Sequence, residues 1–273
     1  MIILFLQELL LFVAAQAIGL FTALKAKSIL PEQGRVQVDF TLPEVIIFIG
    51  VFSVVIFFLT RFFRKSPVFF RAVLGLVIFA GSQTVFSLVL NEVIFSTLAA
   101  FLLAILVLKA KVVFYHNVGM ILAVAGVGAV IGLSLTPIAA VLLLLVLSFY
   151  DIIAVYKTKH MIKMAEGMIK AQAISGIIIP QISKDWFERL ENVQPGGRFM
   201  ILGSGDLLMP LILAASVTGL HGLAGGLTVT FFSMAGLFLT YWLFITQKER
   251  RAMAALPPIA VMAIIGYLVS IVL

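Results

Sequence analysis

Hydrophobic residues run through this chain in long blocks that are separated by short polar stretches. A bilayer's hydrocarbon core is about 30 Å thick, so a spanning helix needs about 20 mostly apolar residues. Nine blocks meet that length once their flanking residues are included. They extend over Ile3–Leu24, Pro43–Phe63, Pro67–Leu90, Glu92–Leu108, Val112–Leu133, Thr136–Lys157, Phe199–Gly219, Leu220–Thr246 and Ala254–Val272. The pattern predicts an all-α polytopic membrane protein with about nine transmembrane helices.

Two of the boundaries depend on helix-breaking residues inside apolar runs that are too long for one crossing. These are Ser134-Leu135-Thr136-Pro137 and Thr218-Gly219-Leu220-His221-Gly222. Composition agrees with the membrane class, because 63% of the residues are hydrophobic and the mean hydropathy is +1.21, far above a soluble domain. The chain has no cysteine, which excludes disulfides, cysteine-ligated metals and thiol nucleophiles.

The basic residues predict how the chain is oriented, since Lys and Arg collect in cytoplasmic loops. Counted together with the ends of the flanking segments, the connections after the second, fourth, sixth and eighth segments hold 4, 2, 7 and 3 basic residues, and those after the third, fifth and seventh hold none. The first connection is an exception, with Lys25, Lys27 and Arg35 on the opposite side. We expect a cytoplasmic N terminus and an outer C terminus, and topology accounts for the net charge of +7 without a nucleic-acid partner.

The chain divides into three parts on this pattern. Residues 1–158 contain the first six helices, residues 159–198 form a cytoplasmic loop, and residues 199–273 contain the last three helices. The loop is the one large polar stretch, although Ile177-Ile178-Ile179-Pro180 and Trp186-Phe187 lie within it. Those apolar residues favour a loop that is partly interfacial.

Apart from Glu44 and Glu92 at the ends of their blocks, Asp151 and Asp206 are the only acidic residues inside the apolar blocks that follow the first one. A charged group in hydrocarbon costs about 2.5 to 3.5 kcal/mol on insertion scales, so one that is kept there indicates function. Asp151 lies six residues before Lys157, and Asp206 lies eight after Arg198. At a rise of about 1.5 Å per residue, they are about 9 and 12 Å from the same membrane face. If the two helices are neighbours, the carboxyl groups can meet.

A facing pair of carboxyl groups is suited to acid–base chemistry. Two carboxylates a few ångströms apart cannot both ionise without a large electrostatic cost, so they share a proton. One can then activate a water molecule as a base, while the other protonates the amide nitrogen of a peptide bond. Gly203 and Gly205 precede Asp206 and would let a substrate or a backbone approach closely, although helix packing explains those glycines equally well.

Three short motifs resemble those of the intramembrane aspartyl proteases that include presenilin and signal peptide peptidase. That family has Tyr-Asp in its sixth helix, Gly-x-Gly-Asp in its seventh, and Pro-Ala-Leu at the start of its ninth. The residues that carry the resemblance here are Tyr150-Asp151, Gly203-Ser204-Gly205-Asp206 and Ala255-Leu256-Pro257. Each motif is short, but all three stand in the expected segments of a chain with nine predicted spans.

The third motif departs from the family's pattern. Ala254 stands where the family has its leading proline, and Pro257-Pro258 follow instead. By position, Ala255 and Leu256 would take the family's role of seating the substrate beside the aspartates. Pro257 suits an extended segment beside a cleft, because proline lacks an N–H and disfavours helix before it. A proline in the first turn of the ninth helix is an equal interpretation.

The resemblance implies an intramembrane aspartyl endopeptidase that cleaves transmembrane helical substrates, with Asp151 and Asp206 as its catalytic pair and no metal or cofactor. Tyr150, Gly203, Ser204 and Gly205 would shape the site. The expected orientation matches presenilin, whose substrates have their N termini outside. The short connection after the sixth helix resembles a microbial, archaeal homologue, which we expect in a prokaryotic cell membrane without obligatory accessory subunits. The oligomeric state stays open.

Other functions are possible on sequence alone. His116, His160 and His221 lie near helix ends and form no His-Glu-x-x-His pattern, so we expect interfacial or solvated histidines and not a zinc protease. A rhomboid-type serine site lacks its Gly-x-Ser-Gly, since position 202 is leucine. A proton-coupled transporter or ion pore could also use intramembrane carboxylates, and a prepilin peptidase shares the Gly-x-Gly-Asp motif. Glu8 is explained by an interfacial position near the N terminus.

Overall fold

A computed structural model describes residues 2–29, 37–63, 66–90, 92–158, 160–194, 198–247 and 253–272. Its elements are α1 (Ile2–Ile29), α2 (Leu42–Phe63), α3 (Pro67–Leu90), α4 (Val93–Ala110), α5 (Val113–Ser134), α6 (Pro137–Ile152), α7 (His160–Lys170), β1 (Gly176–Pro180), β2 (Phe199–Gly203), α8 (Ser204–Thr246) and α9 (Leu256–Val272). Within these ranges, six helices are long and apolar enough to cross a membrane, and parts of α2 and α9 are shorter apolar helices. The predicted all-α membrane architecture is confirmed, with one small sheet added to it.

The predicted turn between the seventh and eighth spans lies inside α8, at Gly222. This residue has φ 77° and ψ −172°, a left-handed conformation that favours glycine because it has no Cβ. After it the chain folds back, since a Cβ on Gly225 would lie 2.9 Å from Val217 Cγ1 and one on Gly226 would lie 2.9 Å from Ala214 O. The two arms of α8, residues 204–221 and 223–246, therefore pack against each other in opposite directions.

The start of the predicted seventh helix at Phe199 is wrong. Residues Phe199–Gly203 form β2, which pairs antiparallel with β1 so that Ile178 lies opposite Ile201 and Gly176 opposite Gly203. The helix begins only at Ser204. A short apolar run cannot be assigned to strand or helix from periodicity alone, and here the run finds a pairing partner more than twenty residues earlier in the chain.

The polar connection was predicted as a loop, and it contains much more regular structure than that. It holds α7, β1 and two short 3-10 turns, at Ser183–Phe187 and Leu190–Asn192. Ile177, Ile178 and Ile179 are at most 1% exposed, whereas Phe187 is 68% exposed. The apolar residues of this connection thus fold into the protein core as a strand, and the interfacial expectation applies to Phe187 but not to the isoleucines.

Helix α5 holds β1 in place through two adjacent side chains. Asn117 Nδ2 donates to Ile178 O at 2.7 Å, and Ile178 N donates to Asn117 Oδ1 at 2.8 Å. His116 Nε2 lies 3.0 Å from Gly176 O, and this histidine is fully buried. The expectation of a solvated histidine is wrong at His116. By fixing β1, these contacts also fix β2 and hence the first turn of α8.

Helix α1 runs parallel to the first arm of α8 through the centre of the bundle. Gln16 Nε2 donates to Leu207 O at 3.0 Å, and Lys27 Nζ donates to Thr218 O at 3.3 Å. Because contacts advance along both helices together, the N-terminal part of α1 lies at the end of the bundle where α8 begins. Seven of the basic residues that entered the prediction of orientation lie outside the described ranges: Arg35, Arg64, Lys65, Lys159, Lys248, Arg250 and Arg251.

Candidate active site

Asp151 is the penultimate residue of α6 and points into the protein, with 6% of its surface exposed. Directly after α6 the chain continues as a π-helical turn, Ile153–Lys157, in which Thr158 N donates to Ile153 O at 2.9 Å. Such turns are rare and occur frequently at functional sites, because the extra residue changes the direction of side chains on either side. The turn ends the regular helix next to this carboxylate.

Asp206 is the third residue of α8, and its carboxylate accepts the backbone N–H of Gly203, the N-cap residue. An acidic side chain in the first turn satisfies a free backbone donor and interacts favourably with the helix dipole. The pairing of β2 with β1 stops at Gly203, where α8 begins. The strand-to-helix junction therefore fixes the position of Asp206, and the register of the sheet determines where that junction lies.

The structure brings the two aspartates together. Asp206 lies within electrostatic interaction range of Asp151, and Glu8 of α1 lies within range of Asp206. Helices α6, α8 and α1 thus contribute one carboxyl group each to a single region of the bundle. Among the described residues, no group of three or more His, Asp or Glu side chains has an arrangement that could hold a metal ion.

The entrance to α9 completes this region through its backbone. The N–H of Leu256 donates to the carboxylate of Asp151, and Ala255 O accepts from Thr240 Oγ1 at 3.3 Å. Ala254 is buried and precedes the helix, while Pro257 lies in the first turn of α9. The described residues before Leu256 have no regular secondary structure and the helix begins at Leu256, so Pro257 fits the interpretation of a proline in the first turn of the ninth helix.

The other predicted site residues have different surroundings. Tyr150 is 38% exposed. Ser204 Oγ lies 2.9 Å from Ser175 Oγ, and Ser204 N donates to Ser175 O, so this serine extends the pairing beyond β2. Gly205 is exposed, and a Cβ built on it would meet nothing within 4 Å. Open space therefore lies beside the residue that precedes Asp206.

Sequence reasoning missed two groups at the site. Glu8, which was assigned to an interface, is only 4% exposed, and its charge within an apolar segment was the signal that could have found it. The second group is the backbone N–H of Leu256. Every residue except proline has such an N–H, so the sequence gives no sign that this one bonds to Asp151.

The two glycines of the Gly203-Ser204-Gly205 segment are expected to respond differently to alanine. A Cβ on Gly203 would lie 3.1 Å from Asp206 Oδ2, so the carboxylate must shift. We expect Gly203→Ala to lower the kcat of the peptide hydrolysis predicted from the sequence about 10- to 100-fold, because Asp206 is a predicted catalytic residue and small misplacements of such a group are costly. Gly205→Ala meets no protein atom and should mainly raise KM. Steady-state cleavage by the two folded variants tests this, and equal kcat for Gly203→Ala and the unaltered chain would contradict it.

Comparison with known proteins identifies the family of this chain. The family model described as signal-peptide peptidase, presenilin aspartyl protease matches residues 7–273. The chain belongs to this family. The predicted enzyme class, an intramembrane aspartic endopeptidase, is thereby confirmed. None of the curated proteins compared with the chain matches it.

A presenilin-family intramembrane aspartate protease that was solved in two crystal forms has a similar structure. In one form the two chains are 26% identical with a TM-score of 0.63, and the alignment covers 97% of this chain and 95% of that one. In the other form the identity is 23% and the TM-score 0.64, with 97% and 96% covered, which shows the fold alone. Both alignments therefore extend over nearly the whole length of this chain and of the solved protease.

Proposed function

We propose that Asp151 and Asp206 are the catalytic residues of this family member. The observation that supports this pair is that Asp151, at the end of α6, and Asp206, at the start of α8, lie within electrostatic range of each other inside the bundle. Each carboxylate also accepts one backbone N–H, from Leu256 and Gly203 respectively. These donors orient the two carboxyl groups and do not neutralise them, which suits a pair that must both give and take protons.

The proposed reaction is hydrolysis of a peptide bond by an activated water molecule. The ionised aspartate takes a proton from water as the water oxygen bonds to the carbonyl carbon. The protonated aspartate gives its proton to the amide nitrogen as the C–N bond breaks. The two carboxyl groups act as one unit that holds one proton before the reaction, two after the water has been deprotonated and one again after the amide nitrogen is protonated, and their titration belongs to the pair.

We assign substrate positioning to the backbone on either side of the pair. The open space beside Gly205 leaves room for an unwound peptide next to Asp206. The non-helical residues just before Leu256 lie next to Asp151, because the Leu256 N–H bonds to that carboxylate. Ala255 and Pro257 flank this donor, and Tyr150 lies at the exposed edge of α6. A substrate strand binds an edge through backbone hydrogen bonds, and we assign this role to the residues that precede Leu256.

We further infer that the N terminus is cytoplasmic and the C terminus outside, and that substrates are membrane-spanning proteins whose N termini are outside. The alternation of basic connections supports this orientation. We place the protein in the cell membrane of a prokaryote and expect it to cleave without accessory subunits or nucleic acid, since the chain has little mass outside its helices.

Cleavage in reconstituted liposomes tests the proposed function. The unaltered chain and the Asp151→Asn, Asp206→Asn double variant are each incubated with a single-span test protein, and product masses are recorded. We expect products cut inside the span from the unaltered chain alone. Products from the double variant would overturn the assignment of the pair. Proton or solute flux that depends on both aspartates, with no cleavage by either protein, would favour a transporter.

A further inference from the structure

Glu8 is a buried acidic residue that the proposed reaction does not yet use. It is 4% exposed on α1, and its Oε2 atom is buried without a hydrogen-bond partner. The described group that acts on it electrostatically is Asp206, another acid, and not a cation. A buried carboxyl without a cation beside it is far more stable as the neutral acid than as an anion. Glu8 is therefore placed to carry a proton next to Asp206.

Two further polar side chains of α1 have a buried oxygen atom, one before Glu8 in the sequence and one after it. The Oε1 atoms of Gln7 and Gln16 are buried and unpartnered, as is Glu8 Oε2. The amide nitrogen of Gln16 meanwhile donates to Leu207 O, which ties α1 to the residue after Asp206. Buried polar atoms without protein partners usually bond to ordered water. Acceptors for water thus occur at Gln7 and Glu8 near the N-terminal end of α1, and at Gln16 beside Leu207.

The geometry points to a direction for this path. Glu8 precedes Gln16 by eight residues, which is about 12 Å along a helix. Gln16 is level with Leu207, to which it bonds, and α1 is parallel to the first arm of α8. Glu8 therefore lies closer than Leu207 to the membrane face at which α8 begins. Its carboxyl group is still in range of Asp206. Glu8 consequently stands between the aspartate and that face of the bundle.

We propose that Glu8 is a proton relay of the active site, which returns a proton to Asp206 from water at the end of the bundle where α8 begins. This inference rests on the proposed role of Asp206 in catalysis and makes Asp206 the acid of the pair. Glu8 acts through Asp206 and not on the substrate, so it is a positioning and proton-transfer residue rather than a catalytic one.

The protons balance over one cycle. Asp206 gives its proton to the leaving nitrogen, and Asp151 ends the reaction with a proton taken from the attacking water. Glu8 then transfers its carboxyl proton to Asp206 and takes one from water, while Asp151 releases its proton to water. Only O–H bonds break and form in this reset, and the pair again holds one proton on Asp206. No oxidant, reductant or other reactant is needed.

Substitution of Glu8 separates this role from a structural one. Glu8→Gln keeps the shape and can hydrogen-bond water, but it cannot give up a proton and be recharged as a carboxyl does. In liposomes we expect its kcat to fall about 10- to 100-fold, somewhat less than loss of a direct acid or base. KM and the Kd of a hydroxyethylene peptide isostere, whose hydroxyl replaces the attacking water, should stay within about twofold. Glu8→Asp should retain a larger kcat than Glu8→Gln.

Two reference variants make the result decisive. Thr22→Val removes another buried polar group from α1, one that bonds only to its own helix at Ile18 O, and should leave kcat unchanged. Asp206→Asn should abolish cleavage; if it does not, the proposed function itself fails. If Asp206→Asn is inactive but Glu8→Gln keeps kcat within twofold, the relay alone is overturned. It is also overturned if Glu8→Gln loses isostere binding together with kcat, or if Glu8→Asp is no more active than Glu8→Gln.

Discussion

Replacing Asp206 with asparagine is expected to lower kcat by about 10⁴-fold, because removal of one member of a catalytic unit costs nearly as much as removal of the whole unit. An amide has nearly the size of the carboxyl group but cannot hold the proton that the pair must share. The Gly203 N–H can still donate to the amide oxygen, so the first turn of α8 should stay formed. Product formation per folded molecule in liposomes measures the effect.

The same result is expected for Asp151→Asn, and the double variant should be no less active than either single one. That lack of additivity is the signature of groups that act together. Asp39→Asn is the matched control, since Asp39 accepts from Thr136 Oγ1 at the opposite end of the bundle. It should cleave at the rate of the unaltered chain. Losses that simply multiply in the double variant would show that the two aspartates act separately.

Gly126→Ala is expected to destabilise the protein by about 3 kcal/mol, at the upper end of the usual cost of overpacking. A Cβ on Gly126 would lie 2.7 Å from the carbonyl carbon of Gly81, and one on Gly81 would lie 2.5 Å from Ala123 Cα. These are backbone atoms, which cannot rotate away as the end of a side chain can. Helices α3 and α5 must therefore move apart. Thermal or denaturant unfolding in detergent should show the lower free energy of unfolding.

Gly50→Ala in α2 is the matched control for this packing effect. A Cβ on Gly50 would meet nothing within 4 Å, and alanine is about 0.5 to 1 kcal/mol better than glycine inside a helix. The control should therefore be as stable as the unaltered chain or slightly more so. Activity should fall along with stability in Gly126→Ala, because α5 also holds β1 through Asn117. Equal stability of the two variants would contradict the close approach of α3 and α5.

Much of the architecture was predictable because crossing a membrane is a local property of the chain. A helix in hydrocarbon satisfies its own backbone and needs only an apolar segment of sufficient length. The break near Gly222 was visible for the same reason, since glycine alone takes its backbone conformation easily. Asp151 and Asp206 were also evident, because charged residues in apolar segments are few and costly.

The features that only the tertiary structure decided all join residues far apart in the chain. Phe199–Gly203 became a strand because β1 pairs with it, and Asn117 reaches Ile178 across more than sixty residues. The N–H of Leu256 finds Asp151, and Glu8 comes within range of Asp206, through packing of different helices. Hydropathy and motifs therefore determined the spans and the two aspartates. The junction that positions Asp206, and the groups around the pair, depended on contacts that no local pattern encodes.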